Sequence, residues 1–173
     1  MTDTAFVIET PRLGLRRFSE SDAALVASIF EDEAARRFYP EMHRLVSAER
    51  WVRRNIERYG IDGIGLWAVI DKESGEFAGD CGLMYQPLED TVEVEVGYHL
   101  RSACRGRGFA AEAAAACMAW GFAERRFPRI ISLVHPDNAA SHRVAARIHR
   151  HVRRAQRLGV SCFVYYTDRP TSP

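Results

Sequence analysis

The chain has one lysine against 23 arginines, and no apolar run long enough to cross a bilayer as a helix. Its opening residues, Met1 to Leu13, carry neither the basic nor the apolar region of a signal peptide. A cytoplasmic protein that does not span a membrane is expected. The four cysteines, Cys81, Cys104, Cys117 and Cys162, form neither a C-x-x-C pair nor a cluster, which excludes a disulfide scaffold and points to reduced thiols. His142, His149 and His151 have no cysteine or carboxylate at ligand spacing, so no metal site is expected. No glycine loop ends in G-K-[ST], and no G-x-G-x-x-G opens a crossover helix with an acid about 20 residues on, which removes P-loop and dinucleotide-binding sites. Internal repeats, low-complexity tracts and linkers are also absent. At 173 residues the chain is long enough for one well-buried domain and short for two, so a single domain over 1–173 is expected.

Net charge is only +1, yet it is unevenly spread. Residues 1–100 hold 19 acidic and 11 basic side chains, a balance of −8, whereas residues 101–173 hold 4 and 13, a balance of +9. A split of this size suggests that the second half faces an anion, either a nucleotide-like cofactor or a nucleic acid. Residues 142–157 are the extreme, with six arginines, three histidines and no acid. A solvated basic edge is the simpler reading of that segment. Contact with a phosphate of the cofactor or with RNA is the alternative, although no nucleic-acid motif accompanies it.

The most informative stretch runs from Thr91 to Phe122. It reads as a strand, then a loop Arg105-Gly106-Arg107-Gly108-Phe109-Ala110, then an alanine-rich helix. A glycine-containing loop that opens a helix presents unpaired N–H groups at the positive end of the helix dipole, which suits a phosphate or pyrophosphate. On the strand, Glu93 and Glu95 alternate with Val92, Val94 and Val96, so both carboxylates share one face. They could be a solvated face or the base for an amine nucleophile, which must lose a proton before it attacks.

Elsewhere the pattern predicts a first strand near Thr10–Phe18 and a helix from the Ser19/Asp22 start to about Glu31. A second helix is expected from Ser47 to Gly60, carrying Trp51, Ile56 and Tyr59 inward. Three strands follow as an antiparallel meander (65–70, 77–84, 92–100), then the helix after the loop (about 108–125) and a buried strand at 130–134. A turn at His135-Pro136-Asp137-Asn138 leads into a helix at about 140–149, and a last strand covers 160–166. This is a mixed α/β (α+β) domain, with a mostly antiparallel sheet of about six to seven strands flanked by about four helices.

Four pieces of the chain resemble the GNAT (Gcn5-related) N-acetyltransferase superfamily, in its RimJ/RimL-like branch that acetylates ribosomal-protein N-termini. Glu9-Thr10-Pro11-Arg12-Leu13-Gly14-Leu15-Arg16 is similar to the branch's T-x-R-L-x-L-R start, and Gly79-Asp80-Cys81-Gly82-Leu83 to its G-x-x-G-L hairpin. Arg105 to Ala110 is similar to the Q/R-x-x-G-x-G/A acyl-CoA loop, and Asn138-Ala139-Ala140-Ser141 to the N-x-x-S helix start. The resemblance covers roughly residues 8–167.

It implies acetyl-CoA as co-substrate, no metal, an amine acceptor and direct attack in a ternary complex. It also implies pyrophosphate binding by the backbone of Arg105, Gly106, Arg107, Gly108, Phe109 and Ala110, and pairing of pantetheine along Tyr98, His99 and Leu100. Asn138 would contact pantetheine or a water, Ser141 would assist the leaving thiolate, and Glu95, or else Glu93, would be the base. The acceptor would be a protein N-terminus or a small-molecule amine, a homodimer is compatible, and neither membrane nor nucleic acid is an expected partner.

Two departures are visible. The tyrosine that many relatives carry further along the last helix is missing, and the usual K-L-G-F after it is replaced by Arg147-Ile148-His149-Arg150-His151. These leave open a catalytically inactive CoA-binding sensor or interaction module.

Overall fold

The computed structural model describes residues 5–170. One eight-stranded sheet runs in the order β1-β2-β3-β4-β5-β6-β8-β7. Its strands are β1 (Phe6–Glu9), β2 (Leu13–Arg16), β3 (Leu66–Asp71), β4 (Phe77–Leu88), β5 (Thr91–Leu100), β6 (Arg129–Val134), β7 (His151–Arg157) and β8 (Val160–Asp168). The helices are α1 (Ala23–Ile29), the single turn α2 (Glu33–Arg36), α3 (Leu45–Ile61), α4 (Phe109–Ala123) and α5 (Ala139–Ile148). Every neighbouring pair of strands is antiparallel except β5 and β6. The fold class expected from the pattern is the one observed, with eight strands rather than six to seven.

Alternation along the central strands separates two apolar layers. Trp67, Val69, Cys81 and Leu83 point to the side covered by α4, while Leu66, Ala68 and Met84 point to the side covered by α1 and α3. Ala113, Ala114 and Cys117 are fully buried, and their small side chains let α4 lie close to the sheet. Cys117 Sγ sits 3.7 Å from Cys81 Sγ, and all four cysteines are free and buried, as reduced thiols would be. Truncating a side chain of this layer, such as Leu83 to alanine, costs about 2–5 kcal/mol.

The strand expected near Thr10–Phe18 is the shorter β2, and an additional strand, β1, precedes it; Thr10 turns the chain between them, its N–H donating to the Leu13 carbonyl. Asp22 accepts the Ser19 N–H at 2.8 Å, the reciprocal half of a capping box, and pairs with Arg16 in bidentate fashion at 2.7 and 2.8 Å.

The largest departure is at 151–157, where the basic and mostly exposed segment forms the edge strand β7. β7 pairs with β8 through a two-residue loop in which Leu158 and Gly159 both have positive φ, 51° and 79°. That is the hairpin geometry whose twist matches the flanking strands. No glycine ends α5. Instead His149 turns extended (φ −105°, ψ 156°), and its ring is buried between Ser132 Oγ (3.0 Å) and Thr167 Oγ1 (3.3 Å).

Candidate active site

β5 pairs with β4 along its whole length, from Leu88 opposite Thr91 to Gly79 opposite Leu100. On its other side it meets β6 at one register position, Glu95 opposite Ile131. Beyond that point the sheet forks. Gly97 to Leu100 have no β6 partner, while β6 continues as the partner of β8. Ser132 Oγ closes the apex by donating to the Val96 carbonyl at 3.1 Å. The backbone of Tyr98, His99 and Leu100 therefore borders an opening in the sheet, where an extended chain could pair. One of its acceptors is taken, since the Leu100 carbonyl receives Nε and Nη2 of Arg105 at 3.2 and 3.1 Å.

The loop that follows β5 turns through Gly106 and Gly108, whose φ values of 77° and 80° lie in the left-handed region that glycine alone enters freely. Gly108 is the N-cap of α4 and has no side chain to satisfy the first turn. The N–H groups of Gly106, Arg107, Gly108, Phe109, Ala110 and Ala111 accordingly have no acceptor among the described residues. Six unpaired donors at and before the positive end of a 15-residue helix suit an anion such as a pyrophosphate. Arg105 does not join that run, because its N–H donates to the Ser102 carbonyl at 3.2 Å.

Neither loop arginine simply adds free charge. Arg105 pairs with Asp32 at 2.8 Å and Arg107 with Asp71 at 2.9 Å, and Arg107 also lies 4.2 Å over the Phe109 ring. With Glu89–Arg153 at 3.1 Å, three carboxylates of the acidic half are matched by arginines of the basic half. Part of the charge split read from the sequence is thus paired inside the molecule, while Arg12–Glu112 and Arg37–Asp137 pair in the opposite sense.

α5 begins beside the fork. Asn138 Oδ1 caps it by accepting the Ser141 N–H at 3.0 Å. Ser141 in turn meets Tyr98, whose phenol oxygen is 3.2 Å from both Ser141 Oγ and the Ser141 carbonyl. Burial pushes the Tyr98 phenol up to about 12, so it is a proton donor at neutral pH. A phenol from β5 thus reaches Ser141 at the start of α5, where α5 itself carries no tyrosine. The sequence pattern had assigned Tyr98 only a backbone role.

Glu95 stands at the apex of the fork, accepting the Leu133 N–H at 3.3 Å. Burial raises its carboxyl above the ordinary value, against the Leu133 N–H and the charge of Arg157, which lower it. Glu93 lies one pair further from the opening, opposite Gln86, within 3.4 Å of Thr91 Oγ1. The two carboxylates share a face as expected, but only Glu95 is at the fork.

The same face carries His99. Its Nδ1 is 2.6 Å from Asp80 Oδ1 and its Nε2 is 3.0 Å from the Tyr39 hydroxyl, while Trp51 Nε1 donates to Asp80 Oδ2 at 3.0 Å. Asp80 is wholly buried, and the rings of Phe30, Tyr39 and Trp51 surround the imidazole at 4.9 to 5.6 Å. Sequence reasoning named His99 for its backbone alone, kept Trp51 as core and missed Asp80 and Tyr39. Cross-strand register was the available signal, since Asp80 lies directly opposite His99.

These features, a forked sheet, a run of unpaired N–H groups at a helix start and a capped helix, lie within a chain whose residues 12–150 match the family model of the acetyltransferase (GNAT) domain. The chain belongs to the GNAT acetyltransferase family. As a GNAT enzyme it is an acetyl-CoA-dependent acetyltransferase.

Among similar proteins, the uncharacterized protein YkkB of Bacillus subtilis is 36% identical over 143 residues, spanning 82% of this chain and 83% of that protein. An acetyltransferase from Agrobacterium tumefaciens superposes with a TM-score of 0.80 at 28% identity, covering 92% of each chain. RimL, a ribosomal L7/L12 alpha-N-protein acetyltransferase solved with coenzyme A, shares the fold, with a TM-score of 0.76 at 18% identity over 95% of this chain and 98% of its own.

Proposed function

We propose that this GNAT enzyme transfers the acetyl group of acetyl-CoA to a primary amine, a protein N-terminus or a small-molecule amine, by direct attack in a ternary complex. The observation that carries the reading is the fork between β5 and β6, with Glu95 at its apex and the Tyr98–Ser141 pair at its side. Bound acetyl-CoA supplies the activated acyl group and a thiolate leaving group.

The residues divide the remaining work. The free N–H groups from Gly106 to Ala111 hold a pyrophosphate, and Arg105 steadies the loop against Asp32 and the Leu100 carbonyl. The open backbone edge at Tyr98 to Leu100 pairs an extended arm and offers an N–H to the oxygen on which negative charge develops, an effect worth several kcal/mol at preorganised donors. Asn138 fixes the start of α5, which keeps Ser141 and the Tyr98 phenol together. That pair donates a proton as the thiolate departs. Glu95 draws the acceptor's ammonium to the fork and favours loss of its proton, directly or through a water. Cys104 is buried and its thiol makes no hydrogen bond to a histidine among the described residues, so a covalent acyl-cysteine has no support.

RimL's described activity on a ribosomal-protein N-terminus favours a peptide α-amine as the acceptor to try first. The test is thiol release from acetyl-CoA across a panel of small amines and short peptides, with product masses. Intersecting initial-rate lines and an N-acetylated product are expected. Parallel lines with an acetylated enzyme would refute the ternary mechanism, and CoA binding without turnover of any amine would refute the amine acceptor.

A further inference from the structure

Glu95 is one candidate holder of the acceptor's proton, and the network behind it is another. We propose that Tyr39, His99 and Asp80 form a proton relay that takes the proton of the acceptor amine, with Glu95 holding the ammonium in place. This rests on the amine reading above.

The chemistry of the donors orders the network. Trp51 Nε1 can only donate, so Asp80 Oδ2 is an acceptor, and the 2.6 Å contact to the other oxygen places a proton on His99 Nδ1. A neutral imidazole then has its lone pair on Nε2, facing the Tyr39 hydroxyl at 3.0 Å. Tyr39 donates to it, which leaves a lone pair of the phenol oxygen to accept from the amine. In the step, the amine N–H bond breaks and its proton goes to the Tyr39 oxygen as the Tyr39 proton passes to His99 Nε2. The electron pair stays on the amine nitrogen. The imidazolium that results faces the wholly buried Asp80 carboxylate, a countercharge screened little by water.

The other elements packed on the imidazole bring apolar or neutral rings, Phe30 after α1 and Trp51 from α3. The titratable groups that face it are therefore Asp80 from β4, Tyr39 from the turn after α2 and Glu95 from its own strand. Burial and the charges of Glu95 and Asp80 push the Tyr39 phenol upward, so it serves as a carrier that does not ionise. Tyr39 is the catalytic residue here, and His99 and Asp80 act through it.

Two measurements on the full chain test this. In steady-state kinetics with the best amine, Tyr39→Phe and His99→Gln each lower kcat about 10²-fold with KM for acetyl-CoA unchanged. Asp80→Asn moves the acid limb of kcat/KM to lower pH, because the imidazolium loses its countercharge. Glu95→Gln raises KM for the amine and leaves that limb in place. A His99→Gln enzyme that keeps both kcat and the limb would overturn the relay, as would loss of the limb in Glu95→Gln.

The second measurement is the 15N spectrum of the imidazoles in the CoA-bound protein. In the active enzyme His99 should carry its single proton on Nδ1, and its Nε2 signal should move in Tyr39→Phe, a variant that keeps the ring packing. A doubly protonated imidazole in the active enzyme has no place for another proton and would overturn the proposal. If the wild-type chain acetylates no amine, the amine reading fails by itself, and the spectrum still decides whether His99 can receive a proton through Tyr39.

Discussion

The phenol of Tyr98 stands 3.2 Å from Ser141 Oγ, although the two residues lie 43 positions apart. Each is ordinary where it sits, an aromatic on a strand and the fourth residue of an N-x-x-S helix start. Together they place two hydroxyls at the open side of the fork, where a leaving thiolate needs a proton. If that is their role, Tyr98→Phe should lower kcat about 10- to 10²-fold at saturating substrates. Ser141→Ala should act similarly, and the double variant should be little worse than either single one. Additive losses in steady-state kinetics would show that the two do not work as a unit.

The left-handed backbone at Gly108 is conformational rather than steric in origin, because a Cβ there would meet only Arg12 Nη2 at 3.5 Å. Gly108→Ala therefore carries a strain of about 1–2 kcal/mol. Relief of that strain would turn the first N–H groups of α4 away from one another. Calorimetric titration with CoA should show affinity at least about tenfold weaker, with a modest fall in Tm. Unchanged affinity would show that the nest at Gly106–Ala111 is not the phosphate grip.

His149 should make stability depend on pH. Burial lowers its imidazole to about 4, so the folded protein holds it neutral while the unfolded chain protonates near 6.5. The stability is fully present above pH 6.5 and is lost as pH falls from there towards 4, by about 3 kcal/mol in all. Urea midpoints between pH 7.5 and 4.5 should fall more steeply in the wild type than in His149→Gln. Parallel curves would assign the acid sensitivity to other groups.

The buried thiols should be inert. Burial and the neighbouring Cys117 push the Cys81 thiol upward, away from the reactive thiolate. Ellman's reagent should therefore find none of the four cysteines in the native protein and all four in denaturant. Rapid native labelling of Cys104 would reopen a covalent route.

The legible features were the local ones. Gly106 and Gly108 advertise a loop that only glycine can turn, and Asn138 with Ser141 advertises a helix start. The alternation of β3 to β5 reads directly as a meander. β7 was not legible, because an edge strand has one hydrogen-bonded neighbour and mostly solvent around it, and arginines serve there as well as valines. Four of its seven residues are exposed before Ala155 turns inward. The Leu158-Gly159 turn was the one local hint that a hairpin follows α5.

The charge split shows the same limit. A count of −8 and +9 over two halves cannot reveal that Asp32, Asp71 and Glu89 face Arg105, Arg107 and Arg153 across the fold.

By itself the sequence determined the glycine loop ahead of α4, the Asn138–Ser141 helix start and the β3–β5 meander, since each depends on residues within one turn or one hairpin. Only the tertiary structure decided that β5 and β6 part at Glu95, that the Tyr98 phenol meets Ser141, and that Asp80, His99 and Tyr39 form one hydrogen-bonded chain. Those contacts join residues 19 to 60 positions apart, and they exist because strand register and helix packing, rather than local propensity, bring them together.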